Sequence, residues 1–240
     1  MEFLHAIIVL SNFVIIPAIA YGSQLALGAL GVTLVYGILR FSNFAHGDTM
    51  AFGTMVAILF TWWFQSIGVS IAPLPTALLA LPIAIVVTAA LLLGTDRVVL
   101  RFYRKQKSAP VILLIVSLGI MFVYNGLVRF IIGVGDQRFS DGARFIISAR
   151  DFKKLTGLDE GLAIKTTQVI TVITAVLVVA ILFWFLNRTR TGKSMRAYSD
   201  NEDLALLSGI DPKKIVMITW MIAAILATIG GVLYGLDKSF

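Results

Sequence analysis

Few residues of this 240-residue chain have both the type and the spacing that chemistry requires. The run NRTRTGKS at 187–194 ends in Gly192-Lys193-Ser194, the close of a loop whose backbone N–H groups and lysine cradle nucleotide phosphates. Asn187 stands where such a loop has its first glycine, and the segment leaves a long apolar run rather than a strand, so its basic residues read as an anchor at a membrane face. His46 is one of two histidines, which leaves a metal site without partners. No Ser, His and Asp set forms a nucleophile motif, and a chain without cysteine has neither disulfides nor a thiolate ligand or nucleophile. Catalytic and metal-ligating residues are therefore assigned to none.

The most organised polar stretch is SDNEDLALLSGIDP at 199–212, a short hydrophilic piece between two apolar runs. Ser199 followed by Glu202 predicts a capping box and a helix beginning near Asp200, about two turns long. Asp200, Glu202 and Asp203 then occupy a first turn whose dipole favours anions, and Gly209 sits where a left-handed C-cap belongs. Asp211 and Pro212 predict the N-cap and first residue of the next helix. Leu204, Leu206, Leu207 and Ile210 are left to bury, either against a partner, as in a docking element, or against the chain's own helices, as in a connecting turn.

The elements that position these residues are membrane helices. Hydrophobic residues make up 58% of the chain and charged ones 14%, with a mean hydropathy of +0.92, which sets it apart from soluble domains. Apolar runs at about 24–39, 49–67, 76–94, 111–132, 168–186 and 215–236 approach or reach the length that crosses a hydrocarbon core, and lipid forces their backbones into helices. A further run at 3–20, set off by Pro17 and Tyr21-Gly22-Ser23, suits another span or an interfacial helix; a cleaved signal peptide is disfavoured by Glu2 and the lack of leading basic residues. The expectation is six to seven spans.

A net charge of +7 bears here on topology rather than on nucleic acid. Arg97, Arg101, Arg104, Lys105 and Lys107 crowd one connection and place it in the cytoplasm. Counting outward puts 68–75 and the long connection 133–165 outside, the latter as a folded cap, and 188–214 inside. Trp62, Trp63 and Trp184 fall near span ends, as interfacial aromatics do. The expected spans hold no Asp or Glu, and their one strong charge, Arg129, lies close enough to an outer end to snorkel, so a proton relay has nothing to run on. Sodium coupling through backbone carbonyls remains open.

The polar interruption at 41–48 either lines a protein cavity or forms a surface turn with Asp48 capping the next helix. Gly231 with Gly235, and Gly22 with Ala26, permit close helix approach; Asn125 and Thr219 either line a route or bond within the bundle.

Gly31-Val32-Thr33-Leu34-Val35-Tyr36-Gly37-Ile38, Asn43-Phe44-Ala45-His46-Gly47-Asp48 and the closing Ser208-Gly209-Ile210 together resemble the LivH-type permease subunit of branched-chain amino acid ABC transporters, over most of the chain. The resemblance implies an all-α polytopic transmembrane bundle with a short cytoplasmic coupling helix, one permease domain over 1–240 in the bacterial inner membrane. It implies coupling to cytoplasmic ATPase subunits through Asp200, Glu202, Asp203, Leu204, Leu207, Gly209 and Ile210 within 199–212, and a translocation pathway touching Thr33, Tyr36, Asn43 and His46. A second, related permease subunit, surrounding membrane lipid and a periplasmic substrate-binding protein complete the implied partners; ATP is bound by the partner subunits, and the chain itself takes no cofactor. The family continues through further spans beyond the segment resembling 230–240, so the chain is expected to lack them. The residues alone leave a second reading, a self-sufficient channel or Na⁺-coupled carrier in which 199–212 is only a connector. Leucine-type substrates are not separated from urea or short amides by these blocks.

Overall fold

The computed structural model describes residues 2–69, 74–139, 145–156 and 161–238; parts of the expected outer turn and outer cap, and positions 1, 239 and 240, lie outside the described residues. Helix α1 runs His5–Leu39 without interruption, although a break was expected at Pro17 and at Tyr21-Gly22-Ser23. A π-helical turn at Ser11–Ile15 precedes Pro17 and widens the helix where the proline ring would otherwise meet the carbonyl four residues back. Ser23 keeps the helical path by donating its hydroxyl to the Ile19 carbonyl at 2.8 Å. The runs 3–20 and 24–39 are thus one element of 35 residues, about 50 Å long at the helical rise and longer than a hydrocarbon core is thick.

Helix α2 is His46–Ser66, α3 Ala77–Lys105 and α4 Pro110–Ile132. In the connection expected to lie outside, β1 (Phe145–Ile147) pairs antiparallel with β2 (Ile164–Lys165), with α5 (Ala149–Thr156) between them, so its described residues add a small ribbon to a helical protein. Then follow α6 (Thr166–Arg188), α7 (Arg190–Asp200), α8 (Glu202–Leu207) and α9 (Pro212–Lys238). Among the described residues five helices, α1, α3, α4, α6 and α9, are long and apolar enough to cross a membrane; α2 has 21 residues and a more polar composition. The basic connection is largely helical too, because α3 continues through a π turn at Asp96–Leu100 and carries Arg97, Arg101, Arg104 and Lys105 on its end.

Helix α9 is the hub. In its most apolar stretch 72% of residues are buried, against 11% for α1 and α6, which turn Phe13, Val176 and Phe183 outward. Since lipid tails are as apolar as the helices, association here depends on close packing of small residues. Ala223, Ala224 and Ala227 of α9 and Ala77, Ala80 and Ala84 of α3 are wholly buried.

The 41–45 turn is packed into the protein. Phe41, Asn43 and Ala45 are buried; the Phe44 N–H donates to Ser117 Oγ at 3.1 Å, and Asn43 Oδ1 accepts from the Ala45 N–H at 3.2 Å. Asp48 does not cap α2, whose N-cap position is Ala45; its carboxylate accepts from Asn125 Nδ2 of α4 at 3.0 Å, a helix-to-helix bond that pulls it away from the cap geometry. Thr219 donates to the Ile215 carbonyl of its own helix at 2.9 Å.

Candidate functional site

The polar stretch at 199–212 is assembled from three short-range devices. Helix α8 is capped at its start by Asn201, whose Oδ1 accepts from the Leu204 N–H at 3.0 Å. The expected cap, Ser199, instead belongs to the end of α7 and donates its hydroxyl to the Gly37 carbonyl of α1 at 2.6 Å. Asp200 accordingly ends α7 rather than opening α8, while Glu202 and Asp203 do fill the first turn of α8. The reason is tertiary: α7 buries Met195 and Tyr198, which holds its helix through Asp200, and the Arg40 guanidinium reaches the carbonyls of Ser199 and Asp200 that this helix end leaves unpaired. Glu202 does not close a capping box; its Oε1 accepts from the Tyr198 hydroxyl at 2.7 Å. Burial, and then the Glu202 carboxylate, push the Tyr198 phenol above its usual range and keep it a donor.

At its far end α8 closes as the sequence predicts. Gly209 takes φ +78°, its N–H donates to the Leu206 carbonyl and the Ile210 N–H to the Ala205 carbonyl, both at 3.0 Å, which is the paired pattern of a left-handed helix stop. Asp211 then caps α9 through the Lys213 N–H at 2.9 Å. Only Ala205 is buried; Ile210 is half-buried, and Leu204, Leu206 and Leu207 remain exposed, Leu207 by 85%. Leu204 and Leu207 thus leave most of their surface uncovered by the chain's own helices.

The phosphate-loop resemblance at 187–194 dissolves structurally. Thr189 caps α7 by accepting from the Gly192 N–H at 3.0 Å, and a Cβ on Gly192 would stand 2.6 Å from Leu186 Cα, so the glycine lets α7 fold back on the end of α6.

The four residues implied for a pathway separate into two pairs. Tyr36 and Thr33 are exposed on α1, and Thr33 borders a cavity of about 220 Å³ between α1, α6 and α7. Asn43 and His46 are buried in the turn and at the start of α2, with His46 against Gly31. Among the described residues no three His, Cys, Asp or Glu side chains are grouped to hold a metal.

A cavity of about 740 Å³ lies instead among α1, α2 and α9 beside the start of the 133–165 connection. Tyr21 and Leu25 of α1, Met50, Ala51 and Thr54 of α2, and Tyr234 of α9 line it, and Gln137 and Arg138 stand at its rim. Its walls are chiefly apolar with a few hydroxyls, a surface that accepts a small solute with an aliphatic portion. The sequence did not mark these residues as a site, although Tyr21, Gly47, Gly231 and Gly235, which also line the cavity, were named in it for other reasons. One signal was available: Gly47, Ala51, Thr54 and Ile58 fall at helical spacing on one face of α2.

The sequence profile described as "Branched-chain amino acid transport system / permease component" matches residues 14–239. The chain is 29% identical to the high-affinity branched-chain amino acid transport system permease protein BraD of Pseudomonas aeruginosa over 224 residues, covering 93% of this chain and 70% of that protein. It is 28% identical to LivH of Salmonella typhimurium and 29% identical to LivH of Escherichia coli K12, in each case over 220 residues that cover 90% of this chain and 68% of the relative. No solved structure matches it significantly. A match over nearly the whole chain, on a polytopic helical protein, makes this chain a member of the permease-component family of branched-chain amino acid transport systems.

Proposed function

We propose that this chain is the membrane subunit of an ATP-driven importer of the bacterial inner membrane, forming part of the passage for branched-chain or related small amino acids. It holds no ATPase site of its own; cytoplasmic partner subunits bind the ATP. The observation that carries this reading is α8, a six-residue helix fixed at both ends that nevertheless leaves Leu204 61% and Leu207 85% exposed. A short, firmly held helix with an apolar outer face suits docking to a partner.

In this mechanism the ATPase subunits grip Leu204, Leu207 and the acidic turn of Glu202 and Asp203, with Gly209 and Ile210 closing the lever. Movement of α8 passes to α7 and to α1 through Arg40 and Ser199, and to α9 through Asp211. Helices α1 and α9 both wall the cavity beside the 133–165 connection, so a shift at the cytoplasmic end alters access at the other. A second, related permease covers the exposed face that includes Thr33 and Tyr36, and a periplasmic binding protein delivers substrate to the outer mouth. Asn43 and His46 hold the turn that fixes α1 against α2.

Gly209→Val tests the lever. Valine at a left-handed backbone position introduces strain of about 1–3 kcal/mol and opens the end of α8. In the assembled transporter, ATP hydrolysis is expected to persist while uptake per ATP hydrolysed falls severalfold. Unchanged uptake would remove α8 from coupling.

A further inference from the structure

On the cytoplasmic side, α3 and α9, with Tyr198 of α7 and Glu202 of α8, line an open cavity of about 500 Å³ whose basic residues the transport mechanism does not use. Arg97, Arg101 and Lys105 reach it from the end of α3, and Lys213 from the start of α9. A fourth α3 cation, Arg104, is already neutralised: its Nη1 and Nη2 donate to the Asp96 carboxylate at 2.6 and 2.9 Å, and Trp220 Nε1 donates to the same carboxylate at 2.7 Å. Glu202, the remaining acid at the cavity, accepts from Tyr198. Among the described residues Arg97, Arg101, Lys105 and Lys213 form no ion pair, so four uncompensated cations face one carboxylate.

The cavity is amphipathic in a directed way. Leu93 lies one turn toward the membrane from Arg97 on α3, and Met217 lies one turn toward the membrane from Lys213 on α9; both line the cavity. Cations at the water end and apolar walls at the lipid end match a molecule with an anionic head and hydrocarbon tails. An anchor by positive charge alone needs no cavity and no convergence of two helices distant in sequence. The π turn at Asp96–Leu100 broadens α3 at this level, with Arg97 inside it and Arg101 next to it.

The geometry points to a binding site for one anionic phospholipid of the cytoplasmic leaflet, its phosphate held by Arg97, Arg101 and Lys213 and its acyl chains against Leu93 and Met217. Because Glu202 of α8 borders the same cavity, an occupied site braces the cytoplasmic ends of α3 and α9 beside the docking element.

The test is native mass spectrometry of the full chain in mild detergent, titrated with equal amounts of phosphatidylglycerol and phosphatidylcholine. Retention of one phosphatidylglycerol per chain over phosphatidylcholine is expected, weakened about 100-fold by the combined change Arg97→Gln, Arg101→Gln and Lys213→Gln, at roughly fivefold per cation near the membrane surface. A control with Lys107→Gln, Lys193→Gln and Lys214→Gln removes the same charge from the same side and should keep the preference. Equal loss in the control, or no preference in the unaltered chain, would overturn the site. Should sn-glycerol 3-phosphate displace the lipid at equal concentration, the site takes a free phosphate ester, and the lipid assignment fails. If the triple variant does not fold, the lipid competition on the unaltered chain decides alone.

Discussion

At the scale of single residues, His46 is explained by what stands opposite it. It is buried at the start of α2, and a Cβ on Gly31 would lie 2.5 Å from its Nε2, so Gly31 is the space in which the ring sits. Gly31→Ala should therefore destabilise the protein by about 1–3 kcal/mol through overpacking, read as a lower melting temperature in detergent. Combining it with His46→Ala should give a loss smaller than the sum of the two single changes, because the second removes the clash that the first creates. Strict additivity would show that the two do not share that space. From the sequence, His46 lacked metal partners and was implied only by family resemblance to touch a pathway; its pairing with a glycine fifteen positions earlier depends on how α1 and α2 cross. Trp220 is a parallel case, since its bond to Asp96 joins residues far apart in the chain and gives a buried indole N–H its acceptor.

At the scale of elements, the junction between α1 and α7 determines how far movement travels. Arg40 adopts φ +56° at the C-cap of α1, turns the chain toward α2, and donates from Nη2 to the carbonyls that end α7, that of Asp200 at 3.4 Å. Being solvent-exposed, these bonds add only about 1 kcal/mol to stability, so Arg40→Gln should fold. In the proposed transporter that variant should hydrolyse ATP while moving less substrate per ATP, and Arg40→Lys should recover only part of the loss because a single ammonium cannot reproduce the guanidinium fork. Normal stoichiometry in both variants would exclude the strut. The helices themselves were legible at this scale, as was the Gly209 stop of α8, because both rest on local backbone chemistry. The start of α8 was not: Ser199 and Asn201 are both good caps, and contacts with α1 draw Ser199 away.

At the scale of the whole molecule, α9 runs through the centre, with α1 and α6 turned outward, and Leu204 and Leu207 of α8 remain largely uncovered. Purification from the native membrane in mild detergent, with mass spectrometry and an ATPase assay on the eluate, is expected to yield a P-loop ATPase and a second permease in fixed proportion. Recovery of the chain alone, without ATPase activity, would favour a self-sufficient carrier. By itself the sequence determined that the chain is a multi-pass helical membrane protein, because a backbone in lipid must satisfy its own hydrogen bonds and apolar length reveals where that happens. It also determined which polar stretch stands apart, through capping and turn residues that act over a few positions. The tertiary structure alone decided that 3–20 and 24–39 are one helix, that Asp48 bonds Asn125, and that Met50, Thr54 and Tyr234 meet at one cavity while Arg97 and Lys213 meet at another. In a soluble helix the apolar stripe marks the buried side, but in a membrane helix both the packed and the lipid-facing sides are apolar, so periodicity carries little information about which neighbours a residue will meet.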